Sequence, residues 1–242
     1  MDILNVSHYQ KRYGDTVAVR DLSLAVEPGD IYGFIGHNGA GKTTLIRSIV
    51  GAQGIDAGSI QICGNDVTTD PIAAKRELAY VPDNPDIYEF MTGLQYLTYL
   101  ADVFQVPADQ RAARISALAE RLELTDSLGS AVSTYSHGMR QKLVLIGALI
   151  HEPKLLVLDE PFVGLDPVAS HELKQILHDI AARGGAVFFS SHVLEVVEKL
   201  CNKVAVIRRG ELLAAGTTEE VRGNSSLEDM FLELVEREGR AS

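Results

Sequence analysis

The stretch of sequence that decides the fold is Gly36-His37-Asn38-Gly39-Ala40-Gly41-Lys42-Thr43. It fits the pattern G-x-x-x-x-G-K-[ST]. The apolar run at residues 31–35 predicts a strand before it, and residues 43–50 predict a helix after it. Between a strand and a helix this pattern is typical of a phosphate-binding loop, because its glycines let successive backbone N–H groups turn inward around phosphate oxygens.

This loop provides the first set of candidate binding residues. The Lys42 ammonium would neutralise the β- and γ-phosphates of a nucleotide, and the Thr43 hydroxyl would ligate Mg²⁺. The positive end of the following helix would point at the same phosphates. The alternative is a glycine-rich structural turn that binds nothing. The predicted nucleotide-binding residues of the loop are Gly36, His37, Asn38, Gly39, Ala40, Gly41, Lys42, Thr43 and Thr44.

Two acidic residues follow a second apolar strand. Residues 155–158 are Leu-Leu-Val-Leu, and Asp159 and Glu160 come directly after them. In α/β proteins, the carboxyl ends of parallel strands form the ligand site. We therefore expect Asp159 to hold Mg²⁺ and Glu160 to polarise the attacking water, with Lys42 as a further catalytic residue. The alternative is a pair of solvated acids at the end of a strand.

Predicted strands and helices alternate along the chain, which indicates an α/β fold with a mostly parallel sheet. Further strands are predicted at residues 187–190 and 204–207. The apolar spacing over residues 85–150 is typical of half-buried helices. Asp166 and Pro167 provide the N-cap and first turn of another helix.

A last helix is predicted near the C-terminus. Ser225 and Glu228 have the spacing of a capping box, in which each side chain bonds to the other residue's backbone N–H. The helix would pack on the body of the domain or on a dimer partner. The residues predicted to form its apolar face are Leu227, Met230, Phe231, Leu234 and Val235.

The composition is that of one globular domain. The chain has 242 residues, of which 46% are hydrophobic, and its 33 acidic against 22 basic residues give a net charge of −11. This charge argues against nucleic acid as a partner. The two cysteines indicate a reducing compartment. We expect a cytoplasmic protein, because the start does not resemble a signal peptide and the longest apolar run, residues 143–150, is far shorter than the ~20 residues that span a bilayer.

Further motifs give the chain a resemblance to the ATP-binding-cassette (ABC) ATPases. The segment Tyr135-Ser136-His137-Gly138-Met139-Arg140-Gln141 resembles the signature motif of that family and precedes the strand that ends in Asp159 and Glu160. Gly164-Leu165-Asp166 resembles the family's D-loop, and Ser190-Ser191-His192 resembles its switch-histidine segment. Tyr13 precedes the phosphate loop, where the family has an aromatic residue against the adenine.

This resemblance implies both a fold and roles for further residues. The fold would be a P-loop NTPase core with an antiparallel β subdomain (residues 1–83 and 151–216), a helical subdomain (84–150) and a C-terminal helical tail (217–242). His192 would contact the γ-phosphate and orient the catalytic water, and Tyr13 would stack on the adenine of ATP. The other residues that the resemblance assigns to nucleotide binding are Ser136, Gly138 and Asp166.

The resemblance also implies partners. In ABC ATPases the signature motif faces the phosphates bound by a second subunit, so a second copy of this chain or a homologous ATPase subunit would complete each site. Integral membrane subunits would use the ATPase cycle to move a substrate, which places the chain at the cytoplasmic face of the cell membrane. The alternatives are a soluble ABC ATPase not coupled to transport and a small-molecule kinase.

The sequence departs from the family pattern at two places. Asp83 occupies the position of a glutamine that usually touches Mg²⁺ and the water, so we predict Asp83 as a third metal ligand beside Thr43 and Asp159. The alternative is that Asp83 is a turn residue between two prolines. In the signature segment, His137 and Met139 replace the usual residues. Both departures resemble the ATPases of ABC-2-type exporters, and export is the predicted direction.

Overall fold

The computed structural model describes residues 1–84 and 87–239, with side chains described as far as Glu233. Its larger sheet has six strands, of which five are parallel and one edge strand is antiparallel to its neighbour. In sheet order they are β10 (Glu211–Thr217), β9 (Lys203–Arg208), β3 (Ile31–Ile35), β8 (Ala186–Ser191), β7 (Leu155–Asp159) and β6 (Leu78–Val81). The predicted α/β class with a mostly parallel sheet is confirmed.

A second, smaller sheet is antiparallel throughout. In sheet order its strands are β2 (Thr16–Val26), β1 (Leu4–Tyr13), β4 (Ala57–Ile62) and β5 (Asn65–Asp66). The two sheets approach each other beside the glycine-rich loop, where the N–H of Arg20 donates to the carbonyl of Gly210 at 2.8 Å.

Helices cover the sheets and form a separate region after β6. They are α1 (Lys42–Ile49), α2 (Pro71–Arg76), α3 (Gly93–Val103), α4 (Ala108–Arg121), α5 (His137–Leu149), α6 (Pro167–Ala182), α7 (Leu194–Leu200), α8 (Thr218–Arg222) and α9 (Leu227–Gly239). Short 3₁₀ turns at Thr125–Ser127 and Val132–Thr134 join α4 to α5. The predicted helical character of residues 85–150 is confirmed for the part of that range that the structure describes.

The parallel strands are apolar on both faces because both faces are buried. Leu155 and Val157 of β7 pack into the core that contains α1 and the antiparallel sheet. Leu156 and Leu158 pack into the core on the opposite face, which includes the helical region. Successive side chains of a strand point to opposite faces, so a strand covered on both sides reads as an uninterrupted apolar run.

The strand order places three carboxyl ends side by side at the centre of the sheet. β3 leads into the glycine-rich loop and α1, and its neighbour β8 lies between β3 and β7. Ile35 pairs with Ser191, and Ser190 pairs with Asp159. The loop at 36–41 and the acidic end of β7 therefore meet at one edge of the sheet.

The last helix begins one residue later than predicted. Its N-cap is Ser226, whose Oγ accepts a hydrogen bond from the N–H of Asp229 at 3.0 Å. Ser225 instead donates its hydroxyl to the carbonyl of Arg222 at 3.0 Å and so closes the turn after α8. The predicted capping box of Ser225 and Glu228 is therefore wrong.

The predicted apolar face of this helix is confirmed in its first half. Leu227 and Phe231 are buried and Met230 is partly buried against the same core. The side chains of Leu234 and Val235, which complete the predicted face, lie outside the described residues.

Candidate functional site

The backbone of the glycine-rich loop is shaped by close contacts that require glycine. A Cβ atom on Gly36 would lie 2.3 Å from the carbonyl oxygen of Ile207, which no side chain can tolerate. Gly39 and Gly41 have φ angles of 79° and 112°, in the left-handed region that disfavours other residues. No side-chain hydrogen bond caps the start of α1 after Gly41, so the first N–H groups of this helix are available to an anion.

Lys42 is held inside this loop. Its side chain is only 6% exposed, and its ammonium donates to the carbonyl of Gly36 at 2.6 Å and to that of His37 at 3.4 Å. The same nitrogen lies 3.6 Å from Oε1 of Glu160. A buried cation with these oxygen partners is already placed where the phosphates of a nucleotide would need charge neutralisation.

Thr43 and Asp159 meet across the edge of the sheet. The Thr43 hydroxyl donates to Oδ2 of Asp159 at 2.9 Å. The hydroxyl of Ser190, on the adjacent strand β8, donates to the other oxygen, Oδ1. Asp159 is 2% exposed, so these two bonds fix the orientation of a buried carboxylate.

The donors at this point fit Mg²⁺. A hydroxyl and a carboxylate are hard oxygen ligands, and Mg²⁺ sites typically combine one or two carboxylates with substrate phosphates and water. In the described part of the chain, no cluster of three or more His, Cys, Asp or Glu residues could enclose a metal ion. A metal held by Thr43 and Asp159 would therefore share its remaining positions with a nucleotide and water.

Glu160 and His192 form a pair beside this point. Nδ1 of His192 lies 2.9 Å from Oε2 of Glu160, and the backbone N–H of His192 also donates to Oε2 at 3.3 Å. The other oxygen of Glu160, Oε1, is buried and accepts no hydrogen bond from the described residues. A carboxylate with one oxygen held and one oxygen without a donor can accept a hydrogen bond from a water molecule.

The backbone of Glu160 is strained. Its φ angle is 49°, in the left-handed region, which costs an ordinary residue about 1–2 kcal/mol. The hydroxyl of Ser190 accepts a hydrogen bond from the Glu160 N–H at 3.1 Å and helps to hold this conformation. Such strain persists where neighbouring contacts keep the residue in a defined place.

Tyr13 lies at the end of β1 with half of its side chain exposed. Its hydroxyl donates to Oε1 of Gln53 at 2.6 Å, and Nε2 of Gln53 donates to the carbonyl of Thr44 at 2.7 Å. Tyr13 is thus connected through Gln53 to the first turn of α1. Gln53 is a candidate positioning residue that the sequence did not indicate, because a single glutamine in a loop carries no motif.

Asp83 lies in the loop after β6 and is exposed. Its Oδ1 accepts the N–H of Asn84 at 2.8 Å, as expected of a turn residue. Burial first, and then the charges of Asp159 and Asp83, raise the pKa of Tyr80 to about 12. The metal-binding role of Asp83 stays a prediction.

The signature segment begins α5, and the structure places its N-cap at Ser136. The Ser136 Oγ accepts a hydrogen bond from the N–H of Met139 at 3.2 Å. A Cβ on Gly138 would lie 3.4 Å from the carbonyl of Gly164, and a Cβ on Gly164 would lie 2.8 Å from the ring of His137. In the described residues, no hydrogen bond or ion pair joins residues 136–138 to the phosphate loop.

Asp166 is the N-cap of α6, as predicted. Its carboxylate accepts the N–H of Ala169 at 2.8 Å and lies 3.4 Å from the ammonium of Lys142. The Ala169 bond, helped by the positive charge of Lys142, lowers the pKa of Asp166 below its ordinary value. Its nucleotide-binding role stays a prediction.

Ser190 is the second positioning residue that sequence reasoning did not assign. It bonds both Asp159 and the backbone of Glu160, because β8 lies beside β7 in parallel register. The neighbouring residue His192 was predicted from the same segment, but the bond to Asp159 depends on strand order. A single sequence does not reveal which strands are neighbours.

The parallel sheet and its glycine-rich loop define a P-loop nucleotide-binding domain. The sequence model described as ABC transporter matches residues 19–163, which is more than half of the chain. The chain therefore belongs to the ABC transporter family and is an ATP-binding domain of that family. The resemblance identified from the motifs is confirmed. No helix in the described residues is long and apolar enough to cross a membrane.

Individual relatives agree with this assignment. The chain is 31% identical over 98% of its length to the ABC-type transporter ATP-binding protein EcsA of Bacillus subtilis, covering 98% of that protein. It is 36% identical to the Nod factor export ATP-binding protein I of Burkholderia orbicola, over 89% of this chain and 70% of that one. A solved ATP-binding subunit of an ABC transporter superposes with a TM-score of 0.93 at 31% identity, covering 96% of this chain and 99% of that one. Four other curated relatives are longer, and the chain spans 62–68% of their length.

Proposed function

We propose that this chain binds Mg-ATP at the carboxyl edge of its parallel sheet and hydrolyses the bond to the γ-phosphate. The observation that carries the proposal is the convergence of Lys42, Thr43, Asp159 and Glu160 from the carboxyl ends of two strands, β3 and β7. Chemically this brings together one cation for phosphate, two oxygen ligands for a divalent metal and one carboxylate for water. Each is needed for phosphoryl transfer to water.

The binding roles follow from the contacts of each group. Lys42 exchanges its bonds to the carbonyls of Gly36 and His37 for bonds to the β- and γ-phosphates. Thr43 and Asp159 hold Mg²⁺, with Ser190 orienting the carboxylate. When bound, the metal supplies positive charge that stabilises the phosphate oxygens. Tyr13 stacks on the adenine, and Gln53 fixes the direction of its ring.

The catalytic roles fall to Glu160 and His192. Glu160 accepts a hydrogen bond from the attacking water through Oε1, which accepts no hydrogen bond from the described residues, and polarises that water. His192 holds Oε2 and so fixes the direction in which Oε1 points. From this position, its ring also contacts the γ-phosphate.

The direct test is phosphate release by the purified chain at saturating ATP, measured with Mg²⁺ and with the Mg²⁺ chelated. We expect hydrolysis only when Mg²⁺ is present. No hydrolysis under either condition would contradict the ATPase proposal, and equal rates under both would contradict the metal role of Thr43 and Asp159.

We further propose that two chains pair head to tail, so that Ser136 and Gly138 of one face the phosphates held by the other. Apart from the Met139 N–H, which Ser136 caps, the N–H groups at the start of α5 and its helix dipole favour a phosphate there. A second copy supplies the missing half of each site, and a homologous subunit would do the same.

Complementary variants test this pairing. Lys42→Ala and Gly138→Asp should each abolish hydrolysis, and mixing them should restore part of it, because one of the two sites in a mixed dimer is then intact. A mixture as inactive as its components would contradict pairing between copies of this chain.

We propose that the chain drives transport, and specifically export, through separate integral membrane subunits at the cytoplasmic face of the membrane. The likeness to the Nod factor export ATP-binding protein supports the direction. The candidate contact surface comprises the exposed rings of Tyr88, Phe90 and Tyr99. The centroid of the Tyr88 ring lies 5.8 Å from that of Phe90 and 6.0 Å from that of Tyr99. Exposed aromatic clusters on soluble domains commonly mark interaction sites.

Copurification from detergent-solubilised membranes tests the transport proposal. We expect wild-type chain to retain an integral membrane protein and Phe90→Ser to lose it, while hydrolysis by the isolated chain stays unchanged. Ile72→Ser is the control, because Ile72 is a similarly exposed apolar residue on α2. Recovery of no membrane protein with the wild type would contradict coupling to transport. Equal recovery with Phe90→Ser would contradict the contact surface.

A further inference from the structure

The C-terminal helix touches the phosphate loop. The ring of Phe231 on α9 lies edge-on to the ring of His37, with 4.8 Å between the centroids and 65° between the planes. Phe231 is only 6% exposed, whereas His37 is at the surface of the loop. Aromatic pairs favour this edge-to-face arrangement, because the positive edge of one ring meets the negative face of the other.

The start of α9 is fixed independently of the loop. Leu227 is completely buried, and its N–H donates to Oε2 of Glu198 at 2.9 Å. The other oxygen of Glu198 accepts from the guanidinium of Arg222 at 3.1 Å. Glu198 belongs to α7, which begins two residues after His192. Phe231 therefore projects from a helix that is anchored to the element following the switch histidine.

His37 connects this contact to the residues that would bind phosphate. Its carbonyl accepts the N–H of Ala40 at 3.1 Å and the ammonium of Lys42 at 3.4 Å. The residue whose ring contacts α9 is thus the residue whose backbone organises the loop. The edge-to-face contact restrains the His37 side chain and thereby limits the backbone conformations open to the residue whose carbonyl makes both bonds.

We propose that Phe231 is a positioning residue for nucleotide binding, which holds the phosphate loop in its binding geometry through the ring of His37. This inference rests on the proposed ATP-binding function. Phe231 acts before the nucleotide arrives, by limiting the conformations that the loop must give up on binding, and such preorganisation raises affinity. Its effect falls on ATP affinity and leaves the hydrolysis step at Glu160 unaltered.

A double-mutant cycle tests this role. Affinity for a fluorescent ATP analogue, together with kcat and KM for hydrolysis, is measured for wild type, Phe231→Ala, His37→Ala and the double variant. Aromatic pair energies predict that each single variant weakens binding by about two- to tenfold. The double variant should be no weaker than the worse single variant, and in Phe231→Ala the loss should appear in affinity and KM, with kcat within about twofold of wild type. Leu232→Ala is the control, since Leu232 neighbours Phe231 on α9 but is exposed.

Several outcomes separate this inference from others. Unchanged affinity in His37→Ala or additive losses in the double variant would overturn it, and so would a loss confined to kcat. If Phe231→Ala lowers the melting temperature strongly, Phe231→Leu takes its place in the cycle, because leucine keeps the apolar contact with the core but removes the ring. A wild-type chain that does not bind the analogue would contradict the proposed function itself.

Discussion

Nδ1 of His192 lies 2.9 Å from Oε2 of Glu160, so the two residues form one unit at the end of adjacent strands β8 and β7. The hydroxyl of Ser190 supports the same unit by accepting the N–H of Glu160. Two residues of the segment 190–192, 30 and 32 positions after Glu160, therefore determine where one of its carboxylate oxygens points. The effect of substitutions at this edge should depend on that orientation as well as on charge.

His192→Ala should reduce kcat by about a hundredfold, because Glu160 loses the partner that orients it toward the water. The affinity for ATP should change much less, since Lys42 and the loop remain intact. Phosphate-release kinetics at varied ATP give both quantities. His171→Ala, an exposed histidine on α6, is the control. A drop in affinity without a drop in kcat would contradict the orienting role of His192.

Lys42→Ala should weaken nucleotide binding by roughly ten- to hundredfold, in keeping with the loss of charge-assisted hydrogen bonds. It would also leave Glu160 without its nearest cation. Titration of a fluorescent ATP analogue in Mg²⁺ measures the change, with the exposed Lys75→Ala as a control. If Lys42→Ala binds the analogue as tightly as the wild type, the phosphate loop does not bind phosphate in the way proposed.

Asp83→Asn and Asp83→Gln separate the two interpretations of Asp83. If Asp83 ligates Mg²⁺, Asn should raise the Mg²⁺ concentration needed for half-maximal hydrolysis, and Gln should retain substantial activity. If Asp83 only accepts the N–H of Asn84, the Asp83→Asn variant should need no more Mg²⁺ than the wild type, because asparagine also favours turns. Hydrolysis against free Mg²⁺ decides between them, and three superimposable curves would exclude the metal role.

Partly buried His151 should make the fold less stable in acid. Burial lowers the pKa of His151 below the ordinary 6.5, and the nearby positive charge of Arg114 lowers it further. The hydrogen bond to the Leu78 carbonyl acts in the opposite direction. Nδ1 is buried without a partner among the described residues, so protonation would leave an N–H unpaired. The ring is also stacked on Phe104 at 3.7 Å.

The direction of the pH dependence of stability follows from the proton that His151 binds on unfolding. Below pH 6.5 the unfolded chain protonates this histidine while the native chain does not, so the free energy of unfolding falls as the pH decreases toward the lowered pKa. The slope is at most about 1.4 kcal/mol per pH unit. Urea unfolding at several pH values should show this slope reduced in His151→Gln and unchanged in the exposed control His178→Gln. Identical slopes in all three proteins would contradict the prediction.

The elements nearest the glycine-rich loop could be predicted from sequence because their signals are local. β3, β7 and the Asp166 cap of α6 follow directly from an apolar run or a capping residue. β10 was not predicted, since its side chains are half-exposed and do not alternate clearly. α7 has only seven residues, too few to establish a helical period.

The contacts that organise the site depend on tertiary structure and could not be predicted. Ser190 bonds Asp159 because β8 and β7 are parallel neighbours. Gln53 connects Tyr13 to α1 across a loop, and Phe231 reaches His37 from the other end of the chain. Motifs identify which residues carry chemistry, whereas the side chains that hold them in place are ordinary in type and distant in sequence.

The most direct test of the central claim is ATP hydrolysis by Glu160→Gln. The variant keeps the size of the side chain and removes the charge that polarises water, so ATP should bind at least as tightly while hydrolysis falls by ~10²–10⁴-fold. The ATP-bound variant should also elute as a dimer in size-exclusion chromatography. Glu195→Gln, an exposed acid paired with Lys199 on α7, is the matched control and should hydrolyse ATP at the wild-type rate.

The decisive quantity is the rate of phosphate release at saturating Mg-ATP, measured side by side for the wild type, Glu160→Gln and Glu195→Gln. We expect that only Glu160→Gln retains bound ATP without releasing phosphate. Hydrolysis by Glu160→Gln at the wild-type rate would contradict it.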